Sequence, residues 1–410
     1  MGYRSRVILP LYEYFWRFKL TPAGRLLVMA MMLSAVGSVS VEVPIYQIFC
    51  GLLGLLIVTE PIGLLLRPRL DVQGNLPARV RADQPFTATI RLTNRSWKPA
   101  FDVMAGVFGL PGSFEHHSAD CFVPSLARGA SALFPVTLRA RRRGVYRLPP
   151  IHFHSTFPFN LMRFGDCKLP AQSMTVFPAY RSVEHLDIPR SQRYQPGGVL
   201  FTSRVGESME YIGNREYTFG EPMRRLDARA WARLGRPVVR EYQEEYSCRV
   251  AIILDTFVPG RRRPGPDGFP QLEAAVSLTA GLAEAMSTGE FLIDVFAAGP
   301  NLHVFRSTGT RASFDSVLEI LASVDASRTD PFEQVSPAVA EEMLRISTAV
   351  CILLDWDEPR RQLAEHILAA GCALKVIVVR DGATTLPLTG GGELRQVTVS
   401  EINDGRIAEV

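Results

Sequence analysis

Two aspartates lie at the ends of apolar runs, where a pair of carboxylates has the chemistry to assist hydrolysis with a metal ion. Asp255 lies in the run Cys248–Phe257, and Asp355 lies in a similar run, Thr348–Asp357. Continuous apolar runs of this kind are typical of strands buried on both faces of a sheet. Open α/β sheets place their functional sites at the carboxyl ends of such strands. A metal-assisted hydrolase that uses Asp255 and Asp355 is therefore the alternative function to weigh.

The remaining sequence gives this hydrolase little support. It contains no Gly-x-Ser-x-Gly elbow, no His-Glu-x-x-His pair, no Walker A loop and no Gly-x-Gly-x-x-Gly after a predicted strand. No histidine lies near either aspartate in the sequence, and His366 is expected on the surface of a helix. The six cysteines include no Cys-x-x-Cys pair, and several lie in apolar runs, as reduced core thiols do. We therefore predict no catalytic residue and no cofactor, and a non-enzymatic protein is the leading interpretation.

A segment crowded with arginine and glutamate lies directly before the first of these strands. On a helix, residues four apart share one face, so three arginines would form a basic stripe: Arg225, Arg229 and Arg233. An adjacent stripe would be apolar and suited to burial on the α/β sheet: Leu226, Ala230 and Leu234. The arginines then either form an internal ion-pair network with Glu241, Glu244 and Glu245 or dock an acidic partner. A net charge of only +4, with glutamates interleaved among the arginines, does not favour nucleic acid as the partner.

The elements that would position the two aspartates alternate between strands and helices across residues 248–410. Helical periodicity marks three stretches of this region: Gln271–Gly289, Ser313–Val324 and Glu358–Gly371. Further strand patterns lie among them: Phe291–Gly299, Leu302–Ser307 and Ala373–Val379. This alternation predicts a doubly wound α/β domain with a mostly parallel sheet.

Residues 71–180 have the pattern of short strands separated by turns. Apolar and polar residues alternate in Phe86–Asn94, and three further stretches are similar: Ala130–Ala140, Gly144–Ser155 and Ser173–Tyr180. We predict an immunoglobulin-like β-sandwich here, followed by a connector, 181–247, which is irregular over Arg181–Ser208 and contains the charged segment. The basic turn Arg139–Arg147 is expected to be solvated. The histidines of this region have no second pair at ligand spacing, so we predict no metal site among them.

The first 70 residues form a predicted membrane hairpin. Two apolar runs, Leu26–Val43 and Ile45–Leu66, are each near the roughly 20 residues that cross a bilayer. We therefore predict two transmembrane helices, at about 26–43 and 45–66, that are separated only by Pro44. Arginines and lysines flank the pair on both outer sides, whereas the turn carries only Glu42. The positive-inside rule then predicts a multi-pass protein of the inner (cytoplasmic) membrane, with the lipid bilayer as a partner and the soluble domains in the cytoplasm.

Three stretches carry a resemblance to a known family: Arg141–Phe164, Met174–Pro178 and Arg215–Glu245. They resemble the domain-of-unknown-function family 58, and the resemblance covers nearly the whole chain. The third stretch is similar to the most specific motif of the family, whose positions are matched by Arg215, Tyr217, Gly220, Arg224, Arg233 and Glu241. Glu221 stands where the family often has Asp, and Ala228 stands where it often has Trp.

The resemblance implies a membrane hairpin, a β-sandwich and a von Willebrand factor A-like domain, in that order. It also implies a MoxR-type AAA+ ATPase as the partner and a role in envelope-related processes or in protein maturation. Together with Arg229 of the basic stripe, the motif residues are the expected interaction surface of a membrane-anchored scaffold.

Von Willebrand A-like domains often hold a divalent cation with an Asp-x-Ser-x-Ser motif, and the resemblance places Asp255, Phe257 and Pro259 at those positions. A cation such as Mg²⁺ needs a near-octahedral shell of oxygen atoms. Phe257 and Pro259 have no side-chain oxygen, so we predict a degenerate ion site at Asp255 and Asp355 and no bound metal. The two carboxylates are then expected to accept loop N–H groups or to pair with an arginine of the charged segment.

Overall fold

The computed structural model describes most of the chain: residues 14–37, 45–118, 120–183, 210–219, 223, 226–243, 248–260, 263–287, 291–298, 302–306, 312–330, 332, 339, 346–390 and 392–405. The chain forms two compact units. The first unit consists of Met1–Arg181, Gly260–Ala280 and Leu318–Asp325. The second unit consists of Ser182–Pro259, Gly281–Val317 and Ala326–Val410.

Two apolar helices follow a short π-helical turn, Tyr14–Lys19, in the first unit. Helix α1 spans Pro22–Gly37, and helix α2 spans Ile45–Leu65. With 21 residues, α2 is about 30 Å long, and it is long and apolar enough to cross a membrane. Helix α1 has 16 residues, and residues 38–44 lie outside the described part of the chain. One candidate span is thus found among the described residues, and the second span stays a prediction.

Eleven strands, β1–β11, follow α2 in the described part of the first unit: Leu70–Gln73, Arg79–Arg81, Pro85–Asn94, Ala100–Val107, Phe114–His116, Phe122–Leu126, Ser131–Ala140, Gly144–Leu148, Ile151–Ser155, Phe164–Leu169 and Gln172–Phe177. Two four-stranded antiparallel sheets have the orders β1-β3-β7-β5 and β10-β9-β4-β6. Their inward residues share one apolar core, where Phe134 of β7 meets Phe153 of β9 edge-on, with ring centroids 5.6 Å apart. These sheets form a β-sandwich because alternate residues of each strand face that core.

The predicted strand Gly144–Ser155 is divided into two strands, β8 and β9. Pro149 and Pro150 separate them, and a proline has no N–H group to donate to a strand partner. The chain therefore leaves one sheet and enters another at this point. Strand β8 belongs to a third sheet, of order β2-β11-β8, whereas β9 belongs to the sandwich.

The basic turn between β7 and β8 is not fully solvated, contrary to the prediction. Arg143 is only 4% exposed, and its Nε and Nη2 donate to the carbonyl oxygens of Leu321 and Val324 at 2.8 and 2.9 Å. These carbonyls lie at the end of a helix, where unpaired acceptors attract cations. Nη1 of Arg143 pairs with Glu273. These bonds explain why the segments around Glu273 and Leu321 belong to the first unit, although the sequence assigned them to the α/β domain.

The described part of the second unit begins with a hairpin and a short helix. Strand β12, Glu210–Glu216, pairs antiparallel with β13, Val238–Gln243, and helix α3, Ala228–Leu234, lies between them in the chain. The helix packs on β13 of its own hairpin, whereas the sequence predicted packing on the α/β sheet. Ala230 is buried at 3% exposure, but Leu234 is 55% exposed. The predicted apolar stripe is thus wrong at Leu234.

A six-stranded sheet of order β16-β15-β14-β17-β18-β19 follows, built from Cys248–Asp255 (β14), Phe291–Ala298 (β15), Leu302–Arg306 (β16), Thr348–Leu353 (β17), Ala373–Val379 (β18) and Glu393–Val397 (β19). The remaining helices whose bounds the structure describes are Pro270–Ser287 (α4), Ala312–Ser323 (α5), Glu358–Ala369 (α6) and Val399–Asp404 (α7). All strand pairs are parallel except β15 with β16. From β14 the chain adds β15 and β16 toward one edge of the sheet. It then returns to the other side of β14 and adds β17, β18 and β19 toward the opposite edge. The carboxyl ends of β14 and β17 are therefore its topological switch point.

Candidate functional site

Asp255 is the last residue of β14 and lies fully buried at the switch point. Its Oδ1 accepts the N–H group of Phe257 at 2.8 Å, and its Oδ2 accepts the N–H group of Leu354 at 3.0 Å. Leu354 directly follows β17, so this carboxylate joins the ends of the two central strands. Acceptance of loop N–H groups is one of the two roles that the sequence suggested for Asp255.

Arg360 places its guanidinium group against the same carboxylate. Its Nε and Nη2 donate to Oδ2 of Asp255 at 2.8 and 2.6 Å, and its Nη1 pairs with Asp357. The side chain is 2% exposed, and its guanidinium carbon lies 4.8 Å from the ring centroid of Phe332 and 5.8 Å from that of Phe257. Two carboxylates and two aromatic rings therefore surround one buried cation, an arrangement that suits the planar guanidinium group.

The charges of this cluster depend on each other. Burial raises the pKa of Asp255, while Arg360 and the N–H donors of Phe257 and Leu354 stabilise the carboxylate and oppose that rise. Burial alone would lower the pKa of Arg360, but Asp255 and Asp357 outweigh it and raise that pKa. Because arginine keeps its proton in proteins, a neutral Asp255 would remove one of the two carboxylates, Asp255 and Asp357, that balance the buried charge of Arg360. The cluster is therefore held as an ion pair.

Asp355 accepts hydrogen bonds from a different loop, the one that follows β18. Its Oδ1 accepts the N–H groups of Trp356 and Thr385 at 2.8 and 3.0 Å, and its Oδ2 accepts the hydroxyl of Thr385 at 2.7 Å. Arg380 pairs with the same Oδ2 at 2.5 Å. Partial burial would raise the pKa of Asp355, but the bonds from Thr385 and Trp356 and the charge of Arg380 outweigh it, so this pKa lies below its usual range. Asp355 thus fixes the loop that follows β18 against the end of β17.

The guanidinium group of Arg360 donates twice to Oδ2 of Asp255, an oxygen that a metal ion would need as a ligand. A divalent ion requires several oxygen ligands, yet the Asp255 oxygens already accept backbone and guanidinium N–H groups. Phe257 and Pro259 add no side-chain oxygen. Among the described residues, no group of three or more His, Cys, Asp or Glu side chains could hold a metal ion. The residues present therefore do not fit the divalent cation that the family resemblance implies for such domains.

Sequence analysis missed Arg360, although part of the signal was local. Asp357 caps α6 by accepting the N–H group of Arg360, and Pro359 lies in the first turn, which is a typical helix start. The sequence thus located the backbone of Arg360. It did not reveal that the side chain contacts Asp255, which lies 105 positions earlier. Among the described residues, the arginine that pairs with Asp255 is Arg360 of α6 and not an arginine of the charged segment, whose Arg224 and Arg225 lie outside the description.

The residues of the charged segment lie on the hairpin and its helix. Arg215 is exposed on β12, and Tyr217, just beyond β12, is half-buried and donates its N–H group to the carbonyl of Pro237 at 3.0 Å. Arg229 and Arg233 are exposed on α3. Three predicted residues lie outside the described part of the chain: Gly220, Arg224 and Arg225. The backbone of Glu241 is in β13, but its side chain and those of Glu244 and Glu245 are outside the description, so the predicted ion-pair network stays a prediction.

Large apolar side chains are exposed beside these arginines, which sequence analysis did not predict. Phe219 is 99% exposed, Met223 76%, Leu234 55% and Trp231 43%. Trp231 lies between Arg229 and Arg233 in the sequence of α3. We call Phe219, Arg229, Trp231, Arg233 and Leu234 the α3 surface. These residues lie on one short helix and in the chain before it; Arg229 and Arg233, four apart, share one face of α3, whereas Trp231, two residues from each, lies on the opposite face.

Comparisons with known proteins give only distant likenesses. No protein-family model matches the chain, and no curated protein sequence matches it. Among solved structures, a von Willebrand factor type A protein from Catenulispora acidiphila is 12% identical, with a TM-score of 0.24, over 42% of this chain and 44% of that one. The alpha-2-macroglobulin of E. coli is 18% identical, with a TM-score of 0.20, over 27% of this chain and 7% of that one. The chain thus spans less than a tenth of the length of that macroglobulin, and neither superposition is close enough to assign a function.

Proposed function

We propose that this protein is a non-enzymatic, membrane-anchored interaction module that docks an acidic partner through the α3 surface. The observation that carries the proposal is the exposure of four side chains on α3: Arg229, Trp231, Arg233 and Leu234. Exposed apolar side chains that cluster on a soluble surface mark interaction sites. Tryptophan and arginine are the residues that most often dominate binding energy at protein interfaces.

Helix α3 is capped at both ends, and the caps keep its side chains in fixed positions. The carboxylate of Asp227 accepts the N–H groups of Arg229 and Ala230 at 3.0 and 3.1 Å, and so begins the helix. Gly235 ends it with a φ of 67°, in the left-handed region that favours glycine. A helix held at both ends loses less conformational entropy when a partner binds. The paired guanidinium groups of α3 favour a partner with carboxylates at its surface.

The partner is, by the resemblance to the domain-of-unknown-function family 58, a MoxR-type AAA+ ATPase. The same resemblance supports a von Willebrand A-like character for the α/β sheet and a role in envelope-related processes or protein maturation. A metal-assisted hydrolase has less support, because Asp255 is bonded to Arg360 and Asp355 is bonded to Thr385 and Arg380. Both aspartates therefore have structural partners within the chain.

The test is charge reversal on α3. In the full chain solubilised in detergent, Arg229→Glu with Arg233→Glu should weaken capture of a purified MoxR-type ATPase and remove the salt dependence of that capture. The melting temperature should hardly change, because both side chains are exposed. The matched control is Arg91→Glu with Arg128→Glu, which reverses two exposed arginines of the sandwich and should leave capture intact. Unchanged capture by the α3 variant would move docking elsewhere, first to the loops beyond Asp255 and Asp355.

The proposal includes the location of the protein. Helix α2 and the apolar residues around α1 anchor it as a two-span hairpin in the inner membrane, and the flanking basic residues keep the β-sandwich and the α/β sheet in the cytoplasm. An enzyme that is active only outside the cytoplasm, fused after Val410, should therefore be silent. Activity of that reporter would reverse the orientation and place the cysteines in an oxidising compartment.

A further inference from the structure

A loop of the sandwich touches the end of α2. The Nζ of Lys98 donates to the carbonyl oxygen of Leu65, the last residue of α2, at 3.3 Å. The N–H group of Arg95 donates to the carbonyl of Arg69 at 2.9 Å, so the loop also follows the chain as it leaves the helix. Between these two contacts, Trp97 is 73% exposed, and the Nζ of Lys98 lies 4.4 Å from its ring centroid.

This loop is held in place by a buried side chain. Asn94 is 1% exposed, and its Nδ2 donates to the carbonyl oxygens of Lys98 and Leu126 at 2.8 and 2.9 Å. Its Oδ1 accepts the N–H group of Ser96 at 2.9 Å. The exposure of Trp97 is therefore a property of a bonded loop, in which a large apolar ring is directed to the surroundings at the end of α2.

A second loop of the sandwich touches the start of α1. Thr21 precedes α1, and its N–H group donates to the carbonyl of Leu161 at 3.1 Å. The approach is close: a Cβ atom at Gly24 would lie 2.0 Å from the oxygen of Leu161, and one at Gly63 of α2 would lie 2.1 Å from the ring of Phe164. The same end of the sandwich thus meets the beginning of α1 and the last turn of α2.

We infer that this end of the sandwich is a second membrane contact, in which the loop 95–98 places Trp97 among the headgroups of the bilayer that α2 crosses. Tryptophan is enriched at the headgroup level, where its ring and its N–H group both find suitable surroundings. Arg67 and Arg69 are exposed directly after α2, and together with Lys98 they favour anionic phospholipids. The inference rests on the proposed membrane anchoring, and it adds that the sandwich itself binds the lipid surface.

Quenching of tryptophan fluorescence by brominated lipids tests this contact. The full chain is reconstituted in vesicles of phosphatidylcholine and phosphatidylglycerol that carry bromine either near the headgroups or deep in the acyl chains. The contribution of Trp97 is the difference between wild type and Trp97→Phe. The matched control is Trp231→Phe, which removes an exposed tryptophan of α3. A third variant, Ile57→Trp in the Trp97→Phe background, reports whether the exposed side of α2 lies in the bilayer.

We expect Trp97→Phe to lose part of the quenching by shallow bromine and little of the quenching by deep bromine, whereas Trp231→Phe loses neither. Ile57→Trp should gain quenching by deep bromine. If Ile57→Trp is quenched but Trp97 is not, the sandwich contact is wrong and the membrane span stands. If neither is quenched, both the anchoring and the contact are wrong. Protection of Trp97 from aqueous iodide without any bromine quenching would mean that protein, such as a second copy of the chain, covers the loop, and would also overturn the inference.

Discussion

At the scale of single residues, Arg360 provides the positive charge that the end of β14 needs. Asp255 is fully buried, and a buried carboxylate without a partner costs several kcal/mol. Three groups offset that cost by donating hydrogen bonds to the carboxylate: two backbone N–H groups and the guanidinium group of Arg360. The cation is covalently part of the chain, so the joint between β14, β17 and α6 does not depend on the supply of an ion.

Replacement of Arg360 tests this role. Arg360→Met leaves Asp255 buried without its cation, and removal of one partner of a buried pair typically costs about 3–5 kcal/mol. Urea unfolding followed through the neighbouring Trp356 should therefore shift to a much lower midpoint. The matched control is Arg361→Met, which removes the next arginine of α6, an exposed residue paired with Glu358, and should hardly move the midpoint. Equal effects of the two variants would show that the Asp255 pair contributes no more than a surface pair.

His154 predicts a pH dependence for the sandwich. It is 5% exposed, and its Nδ1 has no hydrogen-bond partner among the residues that the structure describes. Burial, with the charges of Arg163 and His152, lowers its pKa from 6.5 to about 3. Between these pH values the unfolded chain binds a proton that the folded chain does not, so stability falls as the pH falls, by about 1.4 kcal/mol per pH unit.

Variant His154→Phe should lose this contribution, because phenylalanine does not titrate. Urea unfolding of wild type and variant, followed through Trp97, is compared from pH 8 down to pH 4. The difference between the two free energies of unfolding should be constant above pH 7 and should change in favour of the variant at lower pH. A constant difference over the whole range would contradict a buried neutral His154.

At the scale of elements, hydrogen bonds hold three short segments in place: helix α3, the loop 94–98 and the loop after β18. Helix α3 has seven residues, too few to be stable alone, so its caps and its packing on β13 hold it in place. The loop 94–98 is fixed by Asn94, and the loop after β18 is fixed by Asp355. The proposed interaction sites are therefore bonded to the framework rather than left as free loops.

Removal of the cap of α3 should weaken docking without any change in the docking residues. Asp227→Ala leaves two N–H groups unpaired, and loss of such a cap typically costs about 0.5–2 kcal/mol of helix stability. Capture of the AAA+ partner should decrease, and amide exchange in α3 should become faster. Asp227→Ser retains a capping oxygen and should preserve both properties. Loss of capture in both variants would instead assign Asp227 a direct contact with the partner.

The sequence was most informative where a pattern depends on neighbouring residues. The alternation in β3 and the apolar runs of β14 and β17 follow from local periodicity, and the apolar runs correctly located Asp255 and Asp355 at strand ends. Long-range contacts were not predictable in this way. The bond from Arg360 to Asp255, the burial of Arg143 and the exposure of Leu234 depend on which surfaces the folded chain brings together.

At the scale of the whole molecule, the described chain has three parts: two apolar helices, a β-sandwich and an α/β sheet. Helix α2 is long enough to cross a membrane, and the sandwich is bonded to the ends of both apolar helices. In the α/β sheet, the strand ends that often carry catalytic groups are closed by internal ion pairs. We therefore expect the protein to act by holding a partner at a membrane, and not by chemistry at its switch point.

The central claim is that an arginine of the chain replaces a metal ion at Asp255, and calorimetric titration of Mg²⁺ into the full, detergent-solubilised protein tests it most directly. The account predicts no saturable binding in the millimolar range, because the Asp255 oxygens are occupied by Arg360 and by backbone N–H groups. Asp255→Asn should then lower stability and leave the titration unchanged. A saturable isotherm in the wild type that Asp255→Asn abolishes would contradict the account.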